Sequence, residues 1–165
     1  MNTTEFTRMF GSGQIRARLD WSRITEPDVL VEQDFHTSVD RLAEMTTMWY
    51  ADAEGRPVDY AAPNASPLTV REAAALDMST VPRREEDLSL YTDRAARSPA
   101  PVQLVLAAYY LYSGSHLILD GTHRAVAAIR ARAPAAVFSF VLRGPLDAAI
   151  LPDLSHHLAG DPLRT

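Results

Sequence analysis

The sequence predicts an α/β (α+β) fold: a compact mixed sheet with flanking helices and a helical insertion. Three observations point there. Runs of β-rich residues occur near both ends, at Gln14–Trp21, Asp28–Phe35, Val102–Leu111, His116–Leu119 and Ala136–Leu142. Helix-period segments separate them, notably after Ser38 and over Ala125–Ala133. The length of 165 residues suits one domain of roughly 100–200 residues, large enough to bury about 70% of its unfolded-chain surface.

Taken in order, residues 4–10 suit a short helix ended by Gly11-Ser12-Gly13. Gln14–Trp21 alternates polar and apolar residues without a fault, the period of a strand with one face buried. Asp28–Phe35 is a second strand candidate after the break at Pro27. Thr37 or Ser38 can cap a helix whose apolar stripe is Val39, Leu42, Ala43, Thr46 and Trp49. From about 51 to 100 periodicity is poor, which reads as an insertion or lid packed on the domain. Within it Thr69-Val70-Arg71-Glu72 is a capping box opening a helix through Leu76, and a further helix suits Arg84–Ala96. Val102–Leu111 is strongly apolar and reads either as a strand leading through Tyr112–Ser115 into a hairpin or as a buried helix. Ala125–Ala133 is a helix halted by Pro134, and Ala136–Leu142 a strand closed by Arg143-Gly144-Pro145. A short helix at Leu146–Leu151 and a turn at Asp153–Leu158 complete the chain.

Composition removes several functions. With no Cys, there is no disulfide framework, thiolate zinc site or cysteine nucleophile. All 16 basic residues are Arg, so a phosphate-binding, Schiff-base or general-base lysine is absent as well. The net charge of −5 opposes nonspecific nucleic-acid binding. No apolar run approaches a membrane span and the N-terminus lacks a signal-peptide pattern, so a cytoplasmic protein with a small-molecule substrate and no nucleic-acid or membrane partner is expected.

The sharpest chemical feature is Asp120-Gly121-Thr122-His123-Arg124, at a strand-to-helix junction. A glycine there admits positive φ and close backbone approach. The free N–H groups of the helix that follows favour an anion. Thr122, His123 and Arg124 add donors, and Arg can grip a phosphate bidentately. A plainer use of the same residues is a helix cap by Asp120 or Thr122 and a surface ion pair by Arg124.

With this turn, His116–Leu142 resembles the ParB/sulfiredoxin-like superfamily, whose members share a strand, a short glycine-containing turn ending in His-Arg or Arg-Arg, an Ala-rich helix and a strand. Asp120–Arg124 is most similar to the Asp-Gly-His-His-Arg turn of its free-serine kinases, with Thr122 in place of the first His. The Val102–Leu119 hairpin and the Asp28–Met45 strand and helix match the superfamily's pattern too. The resemblance implies that Gly121, Thr122, His123 and Arg124 cradle the phosphates of ATP or ADP, with Mg²⁺, and that Asp120 sits at the transfer centre. Sulfinic-acid reduction is excluded, because Thr122 stands where sulfiredoxins carry their cysteine. The acidic charge and the lack of a helix-turn-helix segment after the domain argue against partition-type DNA binding. The 51–100 insertion departs from all of these groups.

Glu32, Asp34 and His36 form a second cluster, at the end of the second strand. Glu32 and Asp34 are i, i+2 and share a face, a set able to activate a hydroxyl or hold Mg²⁺; solvated strand-end residues look the same. The resemblance implies an acidic base or metal partner near this place. No H-x-x-x-H, H-E-x-x-H or Asp-x-Asp array appears, so no dedicated metal site is expected. His116 reads as an edge residue, His156-His157 as a tail pair, and Tyr109, Tyr110 and Tyr112 as core or stacking groups. Arg83-Arg84, followed by Glu85-Glu86-Asp87, reads most simply as a solvated helix start, with closure of mobile arginines over an anionic ligand as the alternative. Ser113 and Ser115 lie in a turn with no nucleophile elbow.

The expectation is therefore an enzyme performing ATP- or ADP-dependent phosphoryl transfer to a small hydroxylated metabolite, with Glu32 or Asp120 taking the hydroxyl proton. Two alternatives stand beside it. One is a biosynthetic enzyme on a non-nucleotide substrate, with acid–base chemistry by Asp120 and His123. The other is a nucleotide- or metabolite-sensing module without catalysis.

Overall fold

The apolar run after Pro101 becomes the middle of a sheet. A computed structural model describes residues 2–11, 15, 18–112 and 114–160. In chain order the elements are α1 (Thr3–Phe10), α2 (Trp21–Ile24), β1 (Leu30–His36), α3 (Val39–Glu44), β2 (Thr46–Ala51), β3 (Pro57–Val58), β4 (Ser66–Thr69), α4 (Val70–Ala75), α5 (Pro82–Ala96), β5 (Val102–Tyr110), β6 (His116–Asp120), α6 (Thr122–Arg130) and β7 (Ala135–Arg143), followed by a 3-10 segment, Pro152–Gly160. They build a seven-stranded mixed sheet in the order β1-β7-β5-β6-β2-β3, with β4 also paired to β2. β5 runs parallel to β7, from Val102 opposite Ala135 to Tyr109 opposite Leu142. Against β6 it forms an antiparallel hairpin with a bulge between Ala107 and Ala108.

From Leu106 onward both faces of β5 are covered, which is why that half of its sequence is continuously apolar, while Gln103 and Val105 stay exposed on one face. Leu104, Leu106 and Ala108 pack with Val137 and Val141 of β7 beneath residues of α4, α5 and α6. Ala107 and Tyr109 pack on the opposite face with Phe140, Leu142, the α1 phenylalanines Phe6 and Phe10, and Leu151 and Leu154 near the C-terminus. The result is three layers, with the sheet in the middle. Arg130 at the end of α6 locks the first layer, donating to the Ala74 and Leu76 carbonyls and to Glu85 of α5. Among the described residues no helix is long and apolar enough to cross a membrane.

The Thr69–Glu72 capping box is present on α4 as its spacing predicts. A second box that the sequence reading did not include, Asn2 with Glu5, starts α1 at Thr3. α5 begins with Pro82 in its first turn, a position where the missing N–H costs nothing.

Four expectations change. Of the candidate strand Gln14–Trp21, positions 14, 16 and 17 lie outside the described residues. Ile15 and Arg18–Asp20 belong to no strand, and Trp21 starts α2, capped by the Asp20 carboxylate on the Ser22 N–H. Ile15 and Leu19 still bury their side chains, so the alternation reports burial without a ladder. The helix capped by Ser38 ends at Glu44, and Thr46–Ala51 becomes β2. Its Thr, Trp and Tyr residues suit a pleated surface, and β6 and β4 supply the hydrogen-bonding partners. The 51–100 window is woven into the body: β3 and β4 pair with β2, and Val70, Ala73, Met78 and Leu88 lie fully in the core. In the tail, Leu146–Leu151 forms turns, and the 3-10 segment takes the place of the Asp153–Leu158 turn.

Candidate functional site

Gly121 is held at φ +100°, in the left-handed region that side chains avoid. A Cβ there would run into the Leu106 side chain and come within 3.4 Å of the Val105 carbonyl oxygen. The position therefore demands glycine twice, for its dihedral and for the close passage over β5. Gly121 is also the N-cap of α6, which has no side-chain cap. The expected plainer use of Asp120 or Thr122, as a capping side chain, is thus not made.

The side chains of the turn diverge. Arg124 swings back toward β5, with Nη2 at 3.4 Å from the Val105 carbonyl oxygen and 3.5 Å from Asp120 Oδ2. Both contacts are at the long limit of a hydrogen bond. The guanidinium reaches the wall of a cleft of about 240 Å³ between α5 and β5, which Tyr91, Arg94, Ser98 and Gln103 also line. Among the described residues Arg94 has no ion-pair partner within 4.0 Å. Arg94 and Arg124 thus line one small cleft, to which the turn contributes Arg124. His123 turns the other way, its ring 4.9 Å from that of Trp49 in an edge-on contact. The guanidinium of Arg84 lies 4.5 Å from the centre of the same indole.

Glu32, Asp34 and His36 do share one face of β1, as their spacing requires. They lie at the sheet edge, with β7 and β5 between them and β6. Three strand spacings of about 4.8 Å separate β1 from β6, so Glu32 stands roughly 14 Å from Asp120 and does not share its cleft. The carboxylates are engaged locally. Asp34 Oδ2 is 2.6 Å from Arg41 Nη2 of α3. Glu32 Oε2 is 2.6 Å from Arg143 Nε, a charge contact whose N–H is not aimed for a hydrogen bond. Arg143 in turn lies over the Tyr110 ring at 3.9 Å.

Sequence reasoning missed two members of this second group. His116 is interior, since β6 runs between β5 and β2. Burial pushes its pKa down, Arg41, Arg143 and His36 act in the same direction, and Asp34 opposes them. Ser139 sits opposite Asp34 with a buried hydroxyl that has no hydrogen-bond partner among the described residues. A lone Ser in the apolar run Ala136–Leu142 was the available signal. His36 is also pushed down, by burial first and then by Arg41, against the pull of Asp34. Both imidazoles therefore favour the neutral form.

The remaining histidines form a third group near the C-terminus. Tyr50 donates to the buried Asp153 carboxylate at 2.6 Å, and burial followed by that bond pushes the phenol pKa up. His156 stacks on Tyr50 at 4.9 Å, and burial pushes the pKa of His157 down. Tyr109 and Tyr112 donate to the Pro145 and Gly144 carbonyls, closing the chain after β7. Ser113 lies outside the described residues; Ser115 Oγ donates to the Glu44 carbonyl at 3.3 Å. Among the described residues no three His, Asp or Glu side chains are grouped to hold a metal. Comparison with known proteins gives no match: no family model matches the chain, nor does any curated protein or solved structure.

Proposed function

We propose that the protein is a small-molecule enzyme that binds a phosphorylated ligand in the cleft beside Asp120–Arg124 and carries out ATP- or ADP-dependent phosphoryl transfer to a small hydroxylated metabolite. The observation that carries the reading is the convergence of Arg94 and Arg124 on one cleft, next to a helix start that no side chain caps. Guanidinium forks match phosphate oxygens two at a time, and uncapped backbone N–H groups add aligned donors. In a chain without lysine, this is the chemistry available for a phosphate. The transfer itself follows from the resemblance of Asp120–Arg124 to the free-serine-kinase turn.

Two details refine the roles. Glu32 is too far from the turn to take a proton there, so Asp120 is the carboxylate in reach. In the transfer an acceptor hydroxyl oxygen forms the new O–P bond, the bond to the leaving phosphate breaks, and the hydroxyl proton passes to Asp120. The donor set also bears on magnesium. Asp120 is the single carboxylate at the turn, and Mg²⁺ on phosphate ligands characteristically takes only one or two. The residues therefore fit an ion carried in on the phosphates, with Asp120 to hold it, and that ion would offset phosphate charge.

The cleft is smaller than the roughly 300–1,000 Å³ of ordinary ligand pockets. That favours a second reading, in which the ligand is a small phosphorylated metabolite and Asp120 does the acid–base work, with His123 turned toward Trp49. Calorimetric titration separates the two. ATP, ADP and CTP with and without Mg²⁺ form one arm; inorganic phosphate and a triose phosphate form the other. Nucleotide binding lost in Arg124→Ala supports the kinase reading. Binding of the small phosphates alone supports the second, and silence in both arms overturns the anion site.

A further inference from the structure

We propose that Arg84 is a positioning residue for His123, acting through Trp49, so that the start of α5 and the ligand turn of α6 are mechanically joined. The inference rests on reading the first turn of α6 as the ligand site. Two contacts in line support it. The Arg84 guanidinium lies over the Trp49 ring at 4.5 Å, and Trp49 meets the His123 ring at 4.9 Å and 75°. Trp49 itself is buried in the core layer under α5 and α6, so it can transmit position from one contact to the other.

The placement of Arg84 is costly unless the indole is its purpose. It sits in the first turn of α5, the end of a helix where positive charge is least welcome. Burial alone pulls its pKa down, with no charge acting the other way. Its neighbour Arg83 is exposed to solvent, which shows that the backbone leaves that route open. The adjacent carboxylate is no substitute partner, because Glu85 is held by Arg130 at 2.9 and 3.2 Å. Among the described residues the other polar contact of Arg84 is the Met78 sulfur at 4.0 Å. A guanidinium held over an indole gains from the ring's negative face and loses its rotamer freedom before any ligand arrives. The indole is thereby fixed against His123, one residue from Arg124 and its cleft.

The test uses the Trp21→Phe protein, in which Trp49 is the one remaining indole, with inorganic phosphate as the probe. His123→Gln identifies the His123 ring signal in the NMR spectrum of the ligand-free protein. With the stack in place, that signal is displaced by the indole ring current, and Trp49 emission changes as phosphate binds. Arg84→Ala should remove more than half of the displacement and most of the emission response, and Arg84→Lys should restore both in part. Retention of the displacement in Arg84→Ala overturns the proposal. Absence of phosphate binding in the parent overturns the ligand site instead, and the ligand-free ring signal still decides the role of Arg84. Should Arg84→Ala fail to fold, Arg84→Gln, which keeps the side-chain stem, gives the same reading.

Discussion

The Asp120–Arg124 turn and the β1 edge contain similar chemistry: each has a carboxylate, a histidine and an arginine within reach on one face of the same sheet. They differ in what those groups have left to offer. At β1, Asp34 and Glu32 each lie 2.6 Å from an arginine, and burial keeps His36 and His116 toward the neutral form. At the turn, Arg124 makes only long contacts, and Arg94 faces the same cleft from another helix. Similar kinds of group thus become a structural edge in one place and an open cleft in the other. What separates them is one glycine that leaves the helix start uncapped, and the strand order that brings arginines to β1.

The contrast can be broken most forcefully at Gly121. Gly121→Ala should cost about 3 kcal/mol, combining the left-handed penalty of ~1–2 kcal/mol with crowding against Leu106. Urea unfolding measures it, and a loss under about 1 kcal/mol would show the turn to be adaptable. Next in size, Arg124→Ala should weaken inorganic phosphate binding at least tenfold, about 1.4 kcal/mol, while the melting temperature barely moves. Its 3.5 Å pair with Asp120 is about a third exposed and contributes under about 0.5 kcal/mol.

The β1 side should instead show itself in pH dependence. His36 and His116 have folded pKa values below their ordinary 6.5, so the unfolded chain binds more protons as the pH falls through that value. Stability should therefore be full above pH 6.5 and decline below it. His116→Gln should flatten this decline in melts run from pH 8 to 5; an unchanged slope would remove His116 from the account. The smallest effect belongs to Glu32→Gln. Its ion pair is about half exposed, so the loss should stay under about 1 kcal/mol, with phosphate affinity unaltered by calorimetry. Weaker phosphate binding in that variant would return Glu32 to the ligand site.

The sequence by itself determined the features whose causes lie within a few residues. Asp120–Arg124 was legible as a glycine turn opening a helix, because a positive φ and an uncapped first turn are local properties. The capping box at Thr69 and Glu72 and the apolar strand run Ala136–Leu142 with its Gly144-Pro145 stop were legible for the same reason. Only the tertiary structure decided that Ile15 and Leu19 bury without a strand while Thr46–Ala51 becomes one, since a strand exists only where another strand meets its hydrogen bonds. It also set Glu32 apart from Asp120 and brought Arg94 to Arg124. A sequence period places a side chain on a face; the order of strands across the sheet settles which charges meet there.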